Sequence, residues 1–293
     1  MLAETTYYVS DLKIGVTSRA SEESFQTGGK GINVTKMLQR LGAASTAICF
    51  PGGPFGPMCE DWLKQNRITY QAFTEGCVVR SGSVLRPAKK VETSILGVDS
   101  IVSLEAIQSS VAFLDAQEEE FVLAICGVIP NWRESTWRPL RELVERRPEN
   151  LSLAVDTYGP GLNWLAKQNP DVIKINRQEL ETLFEADVSS ESTEDLMDLA
   201  FERHQGDLWI VTNGDGPVWY KHLSNQPASI VPKEVKTISA TGCGDVFFAT
   251  ILNCLYNKTG YSIEESVKLA VEYASRNVAS PGIADFELQE ARS

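Results

Sequence analysis

The sequence predicts an α/β protein with a mostly parallel central sheet flanked by helices, and a small separate β-sheet beside it. Three observations predict this. From Phe121 onward, short apolar segments alternate with helical patterns in βαβ fashion. Two glycine-rich stretches, around Gly28 and Gly242, each open a helix. Between them, from about 78 to 98, the pattern changes to two strands around a basic turn.

The elements follow in order. Thr5-Thr6-Tyr7-Tyr8-Val9 is rich in β-forming residues, and 16–20 reads as a second, polar strand. After Gly28-Gly29-Lys30-Gly31-Ile32-Asn33, apolar Val34, Met37, Leu38 and Leu41 recur at i, i+3, i+4 and i+7. Gly42 then stands where a helix-ending glycine belongs. Residues 45–50 read as a buried strand ending at Pro51-Gly52-Gly53, and 58–65 as a short helix. Segments 78–86 and 91–96 flank Lys89-Lys90 as strands. With the N-terminal pair they make four strands, drawn from about 4–20 and 78–98, viable as a sheet once one face is covered.

Beyond them, strand cores at 121–126, 151–156, 172–175, 208–212 and 218–221 enclose helical patterns at 103–117, 134–147, 178–184 and 191–204. No repeat, linker or low-complexity run divides the chain, so 1–293 reads as one domain.

Composition narrows the function. A hydrophobic content of 43% supports a full core, and a net charge of −12 argues against nucleic acid or an anionic membrane as partner. An acidic substrate would need a local basic cluster. The six cysteines form no C-x-x-C pair and no zinc-ligand spacing, which reads as reduced thiols in a cytoplasmic protein. No apolar run is long enough to span a bilayer. His204 and His222, both in polar surroundings, stand near no serine or cysteine nucleophile pattern.

The stretch Ile238-Ser239-Ala240-Thr241-Gly242-Cys243-Gly244-Asp245 carries the chemistry. Val246, Phe247, Phe248, Ala249, Ile251 and Leu252 follow it, a helix apolar on nearly every face and therefore internal. The bare amides of its first turn form an anion site, and Asp245 beside them is a candidate general base. These residues are suited to holding a phosphoryl group while an attacking hydroxyl loses its proton. The bland alternative is a glycine-rich helix start with a solvated aspartate.

Gly28-Gly29-Lys30-Gly31-Ile32-Asn33-Val34 with Arg40-Leu41-Gly42, and Thr241-Gly242-Cys243-Gly244-Asp245-Val246-Phe247, resemble the two signatures of the ribokinase-like (PfkB) carbohydrate kinases. Cys126-Gly127-Val128-Ile129-Pro130, Asp156-Thr157, Lys174-Ile175-Asn176-Arg177-Gln178-Glu179 and Val211-Thr212-Asn213-Gly214 fall between them in family order. The lysine of Gly-Gly-Lys-Gly and the two-strand lid resemble the phosphofructokinase and tagatose-phosphate kinase branch.

The resemblance implies a three-layer ribokinase-like fold with a β-sheet lid. It also implies ATP and Mg²⁺ as cofactors, a sugar or sugar phosphate as acceptor, and a homodimer joined through the lids. Asp245 is then the base, and the Gly242, Cys243 and Gly244 amides form the anion hole. Gly28, Gly29, Lys30 and Asn33, with Arg80 from the lid, bind the acceptor. Lys30 sits at a helix start against the dipole, so an anion is expected opposite it. Lys174, Asn176, Thr212, Gly214, Gly216 and Asn277 fall on the nucleotide side. Glu179 is implied to hold Mg²⁺ through water, against an ordinary role as a helix-capping glutamate.

Some positions depart from the family pattern. The chain begins inside the segment that holds a sugar-binding aspartate in the family, with Glu4 at that place. Cys126 and Val128 replace small polar residues, and Ser239-Ala240 replaces the usual pair ahead of the anion hole. Two alternatives therefore stand beside a sugar or sugar-phosphate kinase. One is a kinase of another hydroxyl compound such as a nucleoside, and the other is a catalytically weak sugar-binding relative.

Overall fold

The computed structural model describes residues 1–88, 92–204, 206–223, 225–257 and 259–288. The central sheet contains β7 (Phe121–Cys126), β8 (Leu151–Asp156), β9 (Val172–Asn176), β10 (Leu208–Thr212), β11 (Val218–His222) and β12 (Ala228–Ile230). Its order is β12-β11-β10-β9-β8-β7. β7 to β10 run parallel, and β11 and β12 close the edge antiparallel.

Strands covered on both faces carry apolar residues at successive positions. Leu153, Val155, Ile173, Ile175, Trp209 and Val211 point into one core. Their neighbours Ala154, Val172, Leu208 and Ile210 point into the other. The first core takes its helical residues from α3 (Leu104–Asp115), α4 (Arg138–Arg146), α5 (Pro160–Leu165), α6 (Arg177–Glu181) and α7 (Thr193–His204). α1 (Lys30–Arg40), α8 (Cys243–Tyr256) and α9 (Ile263–Val278) supply the second. Three layers result, as expected.

The small sheet has the order β2-β1-β5-β6, from β1 (Leu2–Val9), β2 (Glu22–Gly28), β5 (Arg80–Pro87) and β6 (Thr93–Leu96). The strand expected at 16–20 is displaced to β2. Residues 16–20 are exposed and unpaired in the sheet, while β2 aligns with β1 from Leu2↔Gly28 to Tyr8↔Glu22. That register ends β2 at the glycine turn before α1, which ties the lid directly to a helix start. The segment 45–50 contains the expected strand: β3 (Ala47–Cys49) pairs with β4 (Tyr70–Ala72) in a separate two-stranded sheet. α2 (Gly56–Gln65) packs beside it through Leu63. Lys90 lies outside the described residues.

Val84 is buried, whereas Ile95 and Leu96 on β6 are more than half exposed. His204 is not in polar surroundings. It is buried against Trp209 with both ring nitrogens lacking a partner among the described residues, and burial lowers its pKa. Among the described residues no helix is long and apolar enough to cross a membrane.

Candidate active site

Four elements converge at the carboxyl ends of the central strands, where open α/β sheets bind ligands. α8 begins there. Gly242 caps it in the left-handed region at φ 76°, and an added Cβ would lie 2.5 Å from Ile283. No side chain fits at 242 without strain. Val246 N–H donates to Gly242 O, whereas the amides of Gly244 and Asp245 find no acceptor among the described residues, as a helix start dictates. From Val246 to Leu252 every residue of α8 is buried, so this amide end is fixed by the core.

Asp245 itself is buried, and the Asn33 amide donates to its Oδ2 at 2.6 Å. Asn33 comes from the first turn of α1, whose start at Gly29 has φ 120°. Burial raises the Asp245 pKa from 3.8 to about 6, and the negative charge of Asp156 adds to the rise. The Asn33 hydrogen bond, Lys174 and Lys30 pull the other way. A carboxylate with a pKa near the working pH suits general-base chemistry.

Asp156, at the end of β8 and fully buried, was not singled out from sequence as a site residue, although Asp156-Thr157 was noted as a motif. It binds two lysines. Lys30 Nζ donates to Oδ1 at 2.7 Å and Lys174 Nζ to Oδ2 at 3.2 Å. The anion expected opposite Lys30 is thus supplied first by the protein. Lys30 also stands 4.0 Å from Glu179 and 5.6 Å from the Tyr158 ring centroid. Burial works against its charge, but Asp156 and Glu179 outweigh burial and hold its pKa above the ordinary value. The signal that could have found Asp156 is its place: a carboxylate at the C-terminal end of a buried parallel strand.

Lys174, on β9, is buried with its ammonium against Gly244, where an added Cβ would meet Nζ at 2.7 Å. A cation and the positive end of α8 therefore share one space. Gly127, with φ 76°, lies over the Lys30 stem.

Asn176 and Glu179 form a reciprocal capping box on α6. Glu179 N–H donates to Asn176 Oδ1, and Asn176 N–H donates to Glu179 Oε2, each at 2.8 Å. Glu179 Oε1 stays on the Lys30 side. One carboxylate oxygen facing the site fits a Mg²⁺ held through water, because that ion takes most of its ligands from phosphates and water. Among the described residues no group of three or more His, Cys, Asp or Glu is placed to bind a metal.

Thr212 pairs in register with Asn176, and the Gly214 and Gly216 turn follows it, closed by Gly216 N–H to Asn213 O at 2.8 Å. Gly28 ends β2 beside Glu4, whose Oε2 is 3.7 Å from the point where a Cβ on Gly28 would sit. Gln26 donates to the other oxygen of Glu4. Arg80 opens β5 and pairs with the exposed Asp99 at 3.3 Å, so its charge is engaged at the base of the lid.

Asn277 requires a correction. It is buried, with Nδ2 donating to Thr241 O at 3.0 Å and to Cys243 Sγ at 3.3 Å, while Oδ1 accepts from Ala284 N–H at 2.7 Å. Its amide is spent holding the loop ahead of α8 and is not presented to a nucleotide. Burial raises the pKa of the Cys243 thiol, and its backbone N–H donates to Ala240 O at 3.4 Å, so the amides left free for an anion are those of Gly244 and Asp245 rather than that of Cys243.

Known proteins share this arrangement of elements. The chain is 26% identical to 1-phosphofructokinase of Bacillus subtilis, over 96% of this chain and 90% of that protein. It is 24% identical to D-tagatose-1-phosphate kinase of Bacillus licheniformis, over 92% and 87%. Phosphofructokinase-2 of Escherichia coli, solved with substrates and products, superposes with a TM-score of 0.84 at 20% identity, covering 94% of this chain and 90% of that one. Ribokinase of Thermotoga maritima superposes at 0.74 with 19% identity, covering 97% and 93%. The fold is thus ribokinase-like. The description "pfkB family carbohydrate kinase" matches residues 1–290, and with nearly the whole chain matched the protein belongs to that family.

Proposed function

We propose that this carbohydrate kinase transfers the γ-phosphoryl group of ATP to a hydroxyl of a sugar phosphate, with Asp245 as general base. The observation that carries the reading is the meeting of three groups at one helix start: the buried Asp245, the free amides of Gly244 and Asp245, and the Lys174 ammonium. Phosphoryl transfer asks mainly for in-line positioning and stabilisation of charge on the migrating group. Asp245 takes the proton of the acceptor hydroxyl, and Asn33 orients the receiving carboxylate. The Gly244 and Asp245 amides, with Lys174, neutralise charge on the phosphoryl oxygens.

Lys30 meets the acceptor's own phosphate. It is held charged by Asp156 and lies one turn of α1 from Asn33. Gly28 and Gly29 let the backbone approach the sugar, and Glu4, beside Gly28, accepts from its hydroxyls. Asn176, Thr212, Gly214 and Gly216 line the nucleotide side. Glu179 would hold Mg²⁺ through water, and the ion would supply charge neutralisation on the nucleotide phosphates. The exposed Ile95 and Leu96 on β6 support pairing of two lids in a homodimer. The free cysteines suit a cytoplasmic setting.

The test is ATP consumption over fructose 1-phosphate, fructose 6-phosphate, tagatose 6-phosphate, fructose, ribose and adenosine. A phosphorylated sugar is expected to give the highest kcat/KM. Preference for adenosine or a free sugar would replace the reading, and no turnover with any acceptor would favour a sugar-binding relative.

A further inference from the structure

A hollow with a basic rim lies on the opposite face of the sheet from α8. It has a volume of about 350 Å³ and lies between α4 and α5, lined by Trp132, Arg133, Arg141, Asn163, Trp164 and Lys167. Three of these are cations and none of the lining residues is a carboxylate, in a chain whose net charge is −12. Arg133 and Lys167 have no ion-pair partner among the described residues. Arg141 is turned inward, giving its Nη1 to the carbonyl of Trp132 and both terminal nitrogens to that of Glu134.

Trp132 supplies an independent observation. It is 2% exposed, packed edge-on to Trp164 with ring centroids 5.4 Å apart, and its indole Nε1–H is buried with no acceptor among the described residues. A buried donor in a native structure calls for a partner. Here the donor belongs to a residue that also walls the hollow, and the charges beside it select an acceptor that is negative.

We propose that this hollow binds a small organic oxyanion, a phosphate- or carboxylate-bearing metabolite, with the charged group near Arg133 and Lys167 and an oxygen accepting from Trp132. Trp164 and Pro160 offer the apolar wall that a carbon skeleton needs. The volume falls at the lower end of the range of small-molecule sites. The lining residues are distinct from the Asp245, Lys174 and Lys30 constellation.

The experiment is a titration of the intact protein with sodium phosphate and, separately, with sodium citrate, at constant ionic strength set by sodium chloride. Tryptophan fluorescence and the indole N–H resonances are followed. The Trp132 resonance, assigned by its loss in Trp132→Phe, is expected to shift saturably with phosphate, with citrate, or with both. The responding anion names the head group. Arg133→Ala/Lys167→Ala is expected to weaken that response at least tenfold while kinase turnover at saturating substrate stays within about twofold of wild type. Two results overturn the proposal. One is a Trp132 resonance that answers neither anion or answers chloride equally, as a donor met by water would. The other is a response unchanged in the double variant, which would place the anion at the catalytic centre instead.

Discussion

Asp245→Asn is expected to make the protein more stable and less active at once. The carboxyl has a pKa of about 6 in the folded protein, against an ordinary 3.8. Folding therefore favours its protonated form, and ionisation costs stability increasingly as the pH rises from about 4 to 6. The gap of about two pH units, at about 1.4 kcal/mol each, sets an upper limit of about 3 kcal/mol. Asparagine carries no charge into that site and keeps an oxygen to accept from the Asn33 amide, so the hydrogen bond at 2.6 Å survives. For a domain of this size about 3 kcal/mol corresponds to a rise of about 5 °C in Tm.

The sign fixes the pH window. The destabilising contribution is absent below about pH 4, grows between pH 4 and 6, and is full above 6. Melting curves of both proteins at pH 4, 5, 6 and 7.5 are therefore expected to diverge as the pH rises, with the variant the higher. A variant that melts at or below wild type at pH 7.5, or by a pH-independent difference, would refute the placement of an ionised Asp245 in a buried, like-charged setting.

Other expectations follow from the same geometry. The kcat/KM of wild type is expected to fall tenfold per pH unit on the acid side of about 6, as the base becomes protonated, and a flat profile from 7.5 to 5 would contradict this. Lys30→Met is expected to raise KM for a phosphosugar at least tenfold more than for the corresponding free sugar, and equal effects would remove the phosphate role. Gly244→Ala drives a methyl into the Lys174 ammonium, so kcat is expected to fall at least tenfold with little change in Tm. Glu179→Gln keeps the capping box, because glutamine also accepts at that position. The Mg²⁺ concentration giving half-maximal rate is expected to rise at least tenfold without loss of stability, whereas an unchanged Mg²⁺ requirement would leave Glu179 a cap alone.

Much of the fold is legible in the sequence because its period is set locally. α8 is buried at every position from Val246 to Leu252, with Thr250 its one polar residue there, and β7 to β10 are mostly apolar at successive positions, as doubly covered strands must be. The strand β2 was less legible. Glu22 to Gly28 is polar at most positions, and only pairing with β1 shows it to be a strand.

In the site, Asn33, Lys30 and Asp245 are brought together from the two glycine-rich motifs, and Lys174 joins them from the end of β9. Asp156 escaped because its partners are remote: Lys30 is 126 residues away, and no local spacing records the contact. Asn277 was misjudged for the opposite reason. A polar residue near the end of a helix looks available in sequence, but its amide is consumed by Thr241, Cys243 and Ala284, two of them more than thirty residues distant. Asn176 and Glu179 sit between these cases. A spacing of three serves a capping box and a metal site equally, and the box is what the unliganded geometry shows.

The central claim is that Asp245 removes the acceptor proton while the start of α8 holds the migrating phosphoryl group. Single-turnover transfer from ³²P-labelled ATP to the best acceptor, compared between wild type and Asp245→Asn at pH 7.5, tests it most directly. A fall of at least a hundredfold in the transfer rate with ATP affinity held within about threefold is the predicted result. A transfer rate within tenfold of wild type would contradict it.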